Sequence, residues 1–460
     1  MSTFSRRGIL KFFGSTSLFF SLPGITQEFI ESKNLDLPEN KKMINTNFNQ
    51  GYLSIVQGPT SDTETLINLF VPRLKKYTYE IIDENGKLQT AKPYERIEGP
   101  LFYHIDKLKI TNLDIKRIYT LSVKDGKTTV DKRQFRTLDL SKKVPNFALL
   151  SCMSDDNRFN QSIDPMWNRL ENENMDFLIL SGDIVYVDSF EFVERQKANN
   201  LDLWQRYVDS FKRIPLYHWK NLVPVFALWD DHDYGTNDGD RNFISRVEAG
   251  KLFRGIFGGI ELKNSWKQGP KGVSSVLKAF GQKFFFMDDR SFRQPNKNQT
   301  ESEPYGHWGK EQHDWLLEEL ATDNNPSWIF NGNQFFNGTA LSFKEAFEQN
   351  HSAEFVTFLK QLEKINAPVV FGSGDVHLSE IMKIPMDRIG YETYEFTSSS
   401  MHSYTGTGWD NPMRLEGAYT IAFNFLVIKS SNEDGALSIE VKSLGLKSEP
   451  YFSKELVVKK

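Results

Sequence analysis

Phe177-Leu178-Ile179-Leu180-Ser181-Gly182-Asp183-Ile184-Val185-Tyr186 sets an apolar run of strand length directly against Ser-Gly-Asp. The same design recurs along the chain. Phe147-Ala148-Leu149-Leu150 ends in Ser151-Cys152, and Val223-Pro224-Val225-Phe226-Ala227-Leu228-Trp229 ends in Asp230-Asp231-His232-Asp233. Trp328-Ile329-Phe330 ends in Asn331-Gly332-Asn333-Gln334, and Pro368-Val369-Val370-Phe371 in Gly372-Ser373-Gly374-Asp375-Val376-His377. Short continuous apolar runs are what strands covered on both faces look like, and helical candidates lie between them at 166–173, 204–211, 312–320 and 353–365. The pattern predicts an α/β (α+β) fold with sheets flanked by helices. In open sheets of this kind ligands collect beyond the carboxyl ends of the strands. Cys152, Asp183, Asp231, His232, Asp375 and His377 are therefore expected at one edge.

Upstream the texture differs. From 51 to 143 short β-type runs, such as Thr65-Leu66-Ile67-Asn68-Leu69-Phe70-Val71 and Ile118-Tyr119-Thr120-Leu121-Ser122-Val123, alternate with turns such as Glu84-Asn85-Gly86 and Lys124-Asp125-Gly126. Asn-Gly and Asp-Gly between such runs are hairpin signals. A small all-β domain of immunoglobulin or fibronectin type is expected there, without a cluster of metal-type ligands and with a structural role. The first residues, Ser5-Arg6-Arg7-Gly8-Ile9-Leu10-Lys11 and then a short apolar stretch, have the arithmetic of an export signal. Paired arginines with these flanks resemble the twin-arginine signal, so 1–25 is expected to address the chain to the twin-arginine machinery. A polar linker is expected over 26–50 and the larger domain over 144–460.

Composition narrows the function. At 460 residues the chain has room for two or three domains. Its 56 basic and 60 acidic residues leave a net charge of −4, which argues against binding nucleic acid by bulk charge. A single cysteine excludes an internal disulfide and any Cys-rich zinc module. No later apolar run reaches transmembrane length. What stands out is the mixture of carboxylates, imidazoles and one thiol at four strand ends, which suits a di- or trinuclear metal site. Phosphate-ester hydrolysis needs a hydroxide near neutral pH and neutralised equatorial oxygens. Two metals about 3.5–4 Å apart supply both, with Asp183 the natural bridge from a central strand.

The strings Ser181-Gly182-Asp183-Ile184-Val185-Tyr186, Trp229-Asp230-Asp231-His232-Asp233-Tyr234-Gly235 and Ser373-Gly374-Asp375-Val376-His377 resemble signatures of the PhoD-like alkaline phosphatases, a branch of the calcineurin-like metallophosphoesterases. Ser151-Cys152, Asp288-Asp289-Arg290-Ser291-Phe292-Arg293, Gly309-Lys310-Glu311-Gln312-His313-Asp314-Trp315-Leu316 and Glu395-Phe396-Thr397-Ser398-Ser399-Ser400 resemble further family segments in the same order, over roughly 145–430. The resemblance implies a metallophosphoesterase-type β-sandwich and an exported, periplasmic or extracellular hydrolase. Its substrates would be phosphate mono- or diesters, attacked by a metal-bound hydroxide. It implies Fe(3+) on a Cys152 thiolate, with Asp183, Asp375 and His377 around the same cluster, and Ca(2+) on the side of Tyr186 and Asp231. His232 would face the leaving oxygen and Arg290 steady the phosphate. Asp188 stands near the Glu that often follows the family's Tyr, and the loop 233–240 departs from the commoner pattern.

Other readings run alongside. A lone buried cysteine is ordinarily a small hydrophobe, but here it ends a strand beside other ligand types. Asp183 and Asp375 are also candidates for strand-end Asx turns. Asp230 is expected to orient His232 rather than bind metal. The loop 233–240 fits a calcium loop or a solvated turn, and His402 a place at the site or in the packing. The other five histidines are expected in surface or packing roles, and the Phe surplus in the core rather than an aromatic cleft. The competing functions are a phospholipase-D-like or cell-wall-polymer phosphodiesterase on the same site, a non-catalytic metal-stabilised surface binding protein, and a two-carboxylate glycosidase.

Overall fold

The computed structural model describes residues 53–100, 102–188, 198–296, 304–338, 345–406 and 408–460. The expected signal at 1–25 and linker at 26–50 lie outside the described residues. The architecture is mixed α/β and dominated by sheets.

The first eight strands are β1 (Ile55–Thr60), β2 (Thr65–Pro72), β3 (Thr78–Asp83), β4 (Leu88–Ala91), β5 (Pro93–Glu98), β6 (Tyr103–Ile110), β7 (Ile118–Asp125) and β8 (Thr128–Arg136). They form two four-stranded sheets, ordered β1-β2-β6-β5 and β4-β3-β7-β8. Ile67, Leu69, Leu108, Tyr79, Leu121 and Val123 form one core between them. The second sheet alternates buried and exposed residues, as a sheet with one wet face must. The first does not. All six residues of β1 are buried, because Val56, Phe70 and Ile105 on its other face join the core of the larger part.

Beyond Pro145 two large sheets face each other. One has the order β11-β10-β9-β20-β21-β22, with β9 (Asn146–Leu150), β10 (Phe177–Ser181) and β11 (Val225–Leu228) parallel. Its remaining strands, β20 (Asn424–Glu433), β21 (Ala436–Gly445) and β22 (Phe452–Val458), are antiparallel. The other contains β12 (Trp266–Gln268), β13 (Ser275–Ala279), β17 (Ser379–Ile384) and β19 (Arg414–Thr420) and runs β12-β13-β14-β15-β16-β18-β17-β19. In it β14 (Gln282–Phe286), β15 (Ser327–Phe330), β16 (Val369–Ser373) and β18 (Thr393–Thr397) are parallel.

Alternation explains the apolar runs. In β9, Phe147 and Leu149 enter the core between the sheets, while Ala148 and Leu150 meet the helical layer. That layer includes helices Asn160–Glu171, Asn200–Arg213 and Arg246–Phe257. Asn199 caps the second with a capping box, which explains why it starts before the expected 204. The phenylalanine runs are core: Phe284, Phe285, Phe286, Phe335 and Phe336 are all fully buried. Among the described residues no helix is long and apolar enough to cross a membrane.

Candidate metal centre

The carboxyl ends of β9, β10, β11 and β16 converge where the two large sheets approach each other. Gly374 sets the spacing, since a Cβ there would lie 2.4 Å from the Ser181 carbonyl and 2.6 Å from Ser151 Oγ. Backbone bonds tie the ends together: Cys152 N–H donates to Gly182 O at 3.3 Å and Met153 N–H to Asp183 O at 2.8 Å. Cys152, Asp183, Asp375 and His377 all have positive φ, at 56°, 54°, 67° and 58°. Non-glycine residues held in this region each cost about 1–3 kcal/mol, and such strain collects at functional sites.

Among the described residues three groups have ligand atoms within 4.8 Å of one another. Cys152, Asp183 and His377 form one; Asp183, Asp231 and His232 the second; Asp231, Asp238 and Glu345 the third. Asp183 and Asp231 each belong to two groups. Cys152 Sγ lies 3.4 Å from Asp183 Oδ2 and accepts from Ser399 Oγ at 3.0 Å. Tyr186 OH donates to Asp183 Oδ2 at 3.3 Å, accepts from Ser403 Oγ at 2.9 Å, and its ring stacks on His232 at 4.2 Å. Asp375 enters none of the three groups. Its carbonyl lies 3.8 Å from Cys152 Sγ, and its charge acts on both Cys152 and Asp183.

Burial, reinforced by Asp231, Asp233 and Asp375, holds the Asp183 carboxyl well above the usual range, with His232 pulling the other way. Burial and then Asp183 push the Cys152 thiol up as well. At Asp231 burial also acts upward, but His232 and Arg290 prevail and hold that carboxyl low. Burial opposes the charging of His232, yet Asp188, Asp231 and Asp183 raise its pKa well above normal. Asp183 Oδ1 and Asp231 Oδ1 are buried and have no hydrogen-bond partner. A buried acceptor left so costs about 1–3 kcal/mol. Cations held by these groups would satisfy both oxygens and relieve the crowding of like charge, so the residues present fit metal. The thiolate and imidazole of the first group suit a transition metal, and the oxygen donors of the third a harder cation.

Two expectations need correction. Arg290 does not face a substrate: its side chain is fully buried, with Nε donating to Asp230 Oδ1 at 2.6 Å and Nη1 to Glu345 Oε1 at 3.1 Å. Asp230 therefore holds Arg290, not His232. Asp188 takes that place, with Oδ1 2.6 Å from His232 Nδ1, while its Oδ2 accepts from Asn237 N–H at 2.9 Å. The loop 233–240 divides its acids. Asp233 accepts from the N–H groups of Val185 and Asp230, at 2.7 and 3.1 Å, whereas Asp238 joins the third group. His402 turns out to be packing, buried with Nε2 accepting from Trp167 Nε1 at 2.7 Å. Glu345 and Ser403 carry no motif and were not legible in the sequence; Ser399 lies in the quoted segment 395–400, but its bond to Cys152 Sγ is visible only in the structure.

No protein-family model and no curated protein sequence matches the chain. Among solved structures, that of PhoD superposes with a TM-score of 0.65 at 16% identity, covering 88% of this chain and 89% of its own. The fold is similar to that of PhoD. A glycosyl hydrolase family 2 member from Bacteroides cellulosilyticus DSM 14838 aligns with a TM-score of only 0.22, at 9% identity, too low to speak to the fold.

Proposed function

We propose that the protein is an exported, metal-dependent phosphoesterase, a hydrolase of alkaline phosphatase type acting on phosphate mono- or diesters. The observation that carries this reading is that one buried carboxylate, Asp183, is shared by the Cys152–His377 and Asp231–His232 groups. The donor chemistry favours Fe(3+) beside Cys152 and Ca(2+) on the side of Asp231 and Tyr186. When bound, such ions lower the pKa of a coordinated water and neutralise the equatorial oxygens of the ester. The chain's own groups do the rest. Asp188 accepts from Nδ1–H of His232, which orients the ring and favours its protonated form, so that Nε2–H can meet the leaving oxygen as proton donor. Tyr186 holds the Asp183 carboxylate and stacks on the His232 ring. The likeness of fold to PhoD and the motif strings that resemble its family both support the reading. On this view the strands within 51–143 are an immunoglobulin- or fibronectin-like scaffold, and the paired arginines address the chain to twin-arginine export.

Metal-replete protein is expected to release p-nitrophenol from p-nitrophenyl phosphate or from bis-p-nitrophenyl phosphate, and to lose that activity in chelator. It is also expected to show a visible thiolate-to-iron charge-transfer band that Cys152→Ser removes. If neither ester is hydrolysed and Asp183→Asn behaves as wild type, the enzyme reading is wrong. Full iron and activity in Cys152→Ser would overturn the thiolate assignment alone.

A further inference from the structure

Exposed apolar side chains scattered singly are ordinary on a protein surface; several together inside a frame of one charge are not. Such a cluster lies at one tip of the N-terminal sheets. The loop between β2 and β3 reads Arg73-Leu74-Lys75-Lys76, and all four residues are exposed. Leu74 is 96% exposed, the highest value of any large apolar residue among those described. The Arg73 N–H donates to Phe102 O at 2.7 Å, which ties this loop to the one between β5 and β6. Phe102 is 67% exposed, and with Pro100, Leu201 and Val208 it lines a shallow hollow against the start of helix Asn200–Arg213. Leu201, in the first turn of that helix, is exposed as well.

Basic residues frame the cluster. Arg73, Lys75 and Lys76 flank Leu74 in sequence, and Lys212 Nζ sits 4.9 Å from the centroid of the Tyr103 ring, next to Phe102. Asp125 pairs with Lys75 Nζ at 2.6 Å, but both side chains are about half-exposed, and a pair of that kind contributes little. Asp209, on the helix, accepts from Gln205 Nε2 at 2.9 Å. The net charge of the chain is −4, so the cationic frame is local and does not follow from overall composition. Protruding apolar side chains with ammonium and guanidinium groups beside them match the layers of an anionic bilayer surface. The apolar groups enter the acyl boundary while the cations stay among the headgroups. A soluble polyanion would leave Leu74 and Phe102 in water.

We propose that this tip is a peripheral membrane-contact site. Leu74 and Phe102 insert into a surface of anionic lipid, and Arg73, Lys75, Lys76 and Lys212 lie in its headgroup layer. The inference goes beyond the phosphoesterase reading and stands without it.

The test uses the full-length protein with a dye placed at the site itself. Cys152 is fully buried, so a thiol introduced by Leu74→Cys is the group that an environment-sensitive maleimide labels. Its emission is expected to shift to the blue on phosphatidylglycerol–phosphatidylcholine vesicles, and not on phosphatidylcholine alone. The same dye at Leu88→Cys, exposed on β4 opposite the far end of β3, is expected to show no shift. Adding Lys75→Glu with Lys76→Glu should raise the lipid concentration at half-maximal shift about tenfold or more, and Phe102→Ser about fivefold. These side chains are exposed, and unchanged circular dichroism and melting check that the fold is kept. No shift at 74, an equal shift at 88, an equal shift on uncharged vesicles, or a midpoint that neither variant moves overturns the proposal. So does a loss in the lysine variant that Phe102→Ser does not share; retention on immobilised dextran sulfate then assigns the tip to a soluble polyanion. No step of this assay needs catalysis, so its outcome is independent of whether either ester is hydrolysed.

Discussion

Asp188 and Arg290 show how far a residue's role depends on what it touches. Asp188 is one acidic residue among many in the sequence, yet its bond to His232 Nδ1 controls how that ring is presented. Asp188→Asn is expected to lower kcat about 10–100-fold, the usual loss when a partner that orients a catalytic or ligating histidine is removed. Asp188 also raises the His232 pKa, so its loss should leave the protonated donor populated only at lower pH. The alkaline limb of the kcat profile should therefore shift toward acid, and an unshifted limb would count against His232 as proton donor. Arg290 predicts the reverse pattern. Arg290→Met leaves Asp230 buried without its main counter-charge and should destabilise by about 3–5 kcal/mol in denaturant titration. An arginine that served only to steady phosphate would lose kcat at constant stability.

At the scale of elements, the turns after the strands matter more than the strands themselves. Gly182 has φ +81°, and a Cβ there would meet Asp230 Cβ at 2.6 Å. The turn from β10 to Asp183 thus needs glycine twice over, for its backbone conformation and for its closeness to the end of β11. Gly182→Ala is expected to cost about 1–3 kcal/mol and to displace the Asp183 carboxylate. Loss of bound metal by elemental analysis, with the fold retained by circular dichroism, is the outcome that checks it. Ser-Gly-Asp was legible as a strand-end signal from residue types alone. The αL backbone shared by Cys152, Asp183, Asp375 and His377 was not, because positive φ at non-glycine residues is imposed by surrounding contacts.

For the whole molecule the question is how the N-terminal sheets relate to the rest. Phe70, on β2, packs edge-on against Trp204 and Phe211 of helix Asn200–Arg213, with ring centroids 6.1 and 5.2 Å apart. Val56 and Ile105 lie in the same core. A chain starting at residue 144 would expose that surface. It is expected to aggregate, or to bind hydrophobic dye without a cooperative melt. A soluble fragment with a sharp transition would show that the first sheet is dispensable to the second part of the chain.

The buried parallel strands, their polar ends and the residue types offered to a metal follow from residue order alone, because a strand covered on both faces must be continuously apolar and can change character only where it stops. Residue order also indicates that the N-terminal third is β-rich. Which groups meet is set by the packing of the folded chain. It paired Arg290 with Asp230, assigned Asp188 to His232, and brought Glu345 and Asp238 to Asp231 from separate loops. It likewise set the loop of Leu74 beside Phe102 and Leu201 at one tip. Those choices rest on distances between residues remote in sequence. Such distances depend on how the sheets pack, which no local pattern encodes.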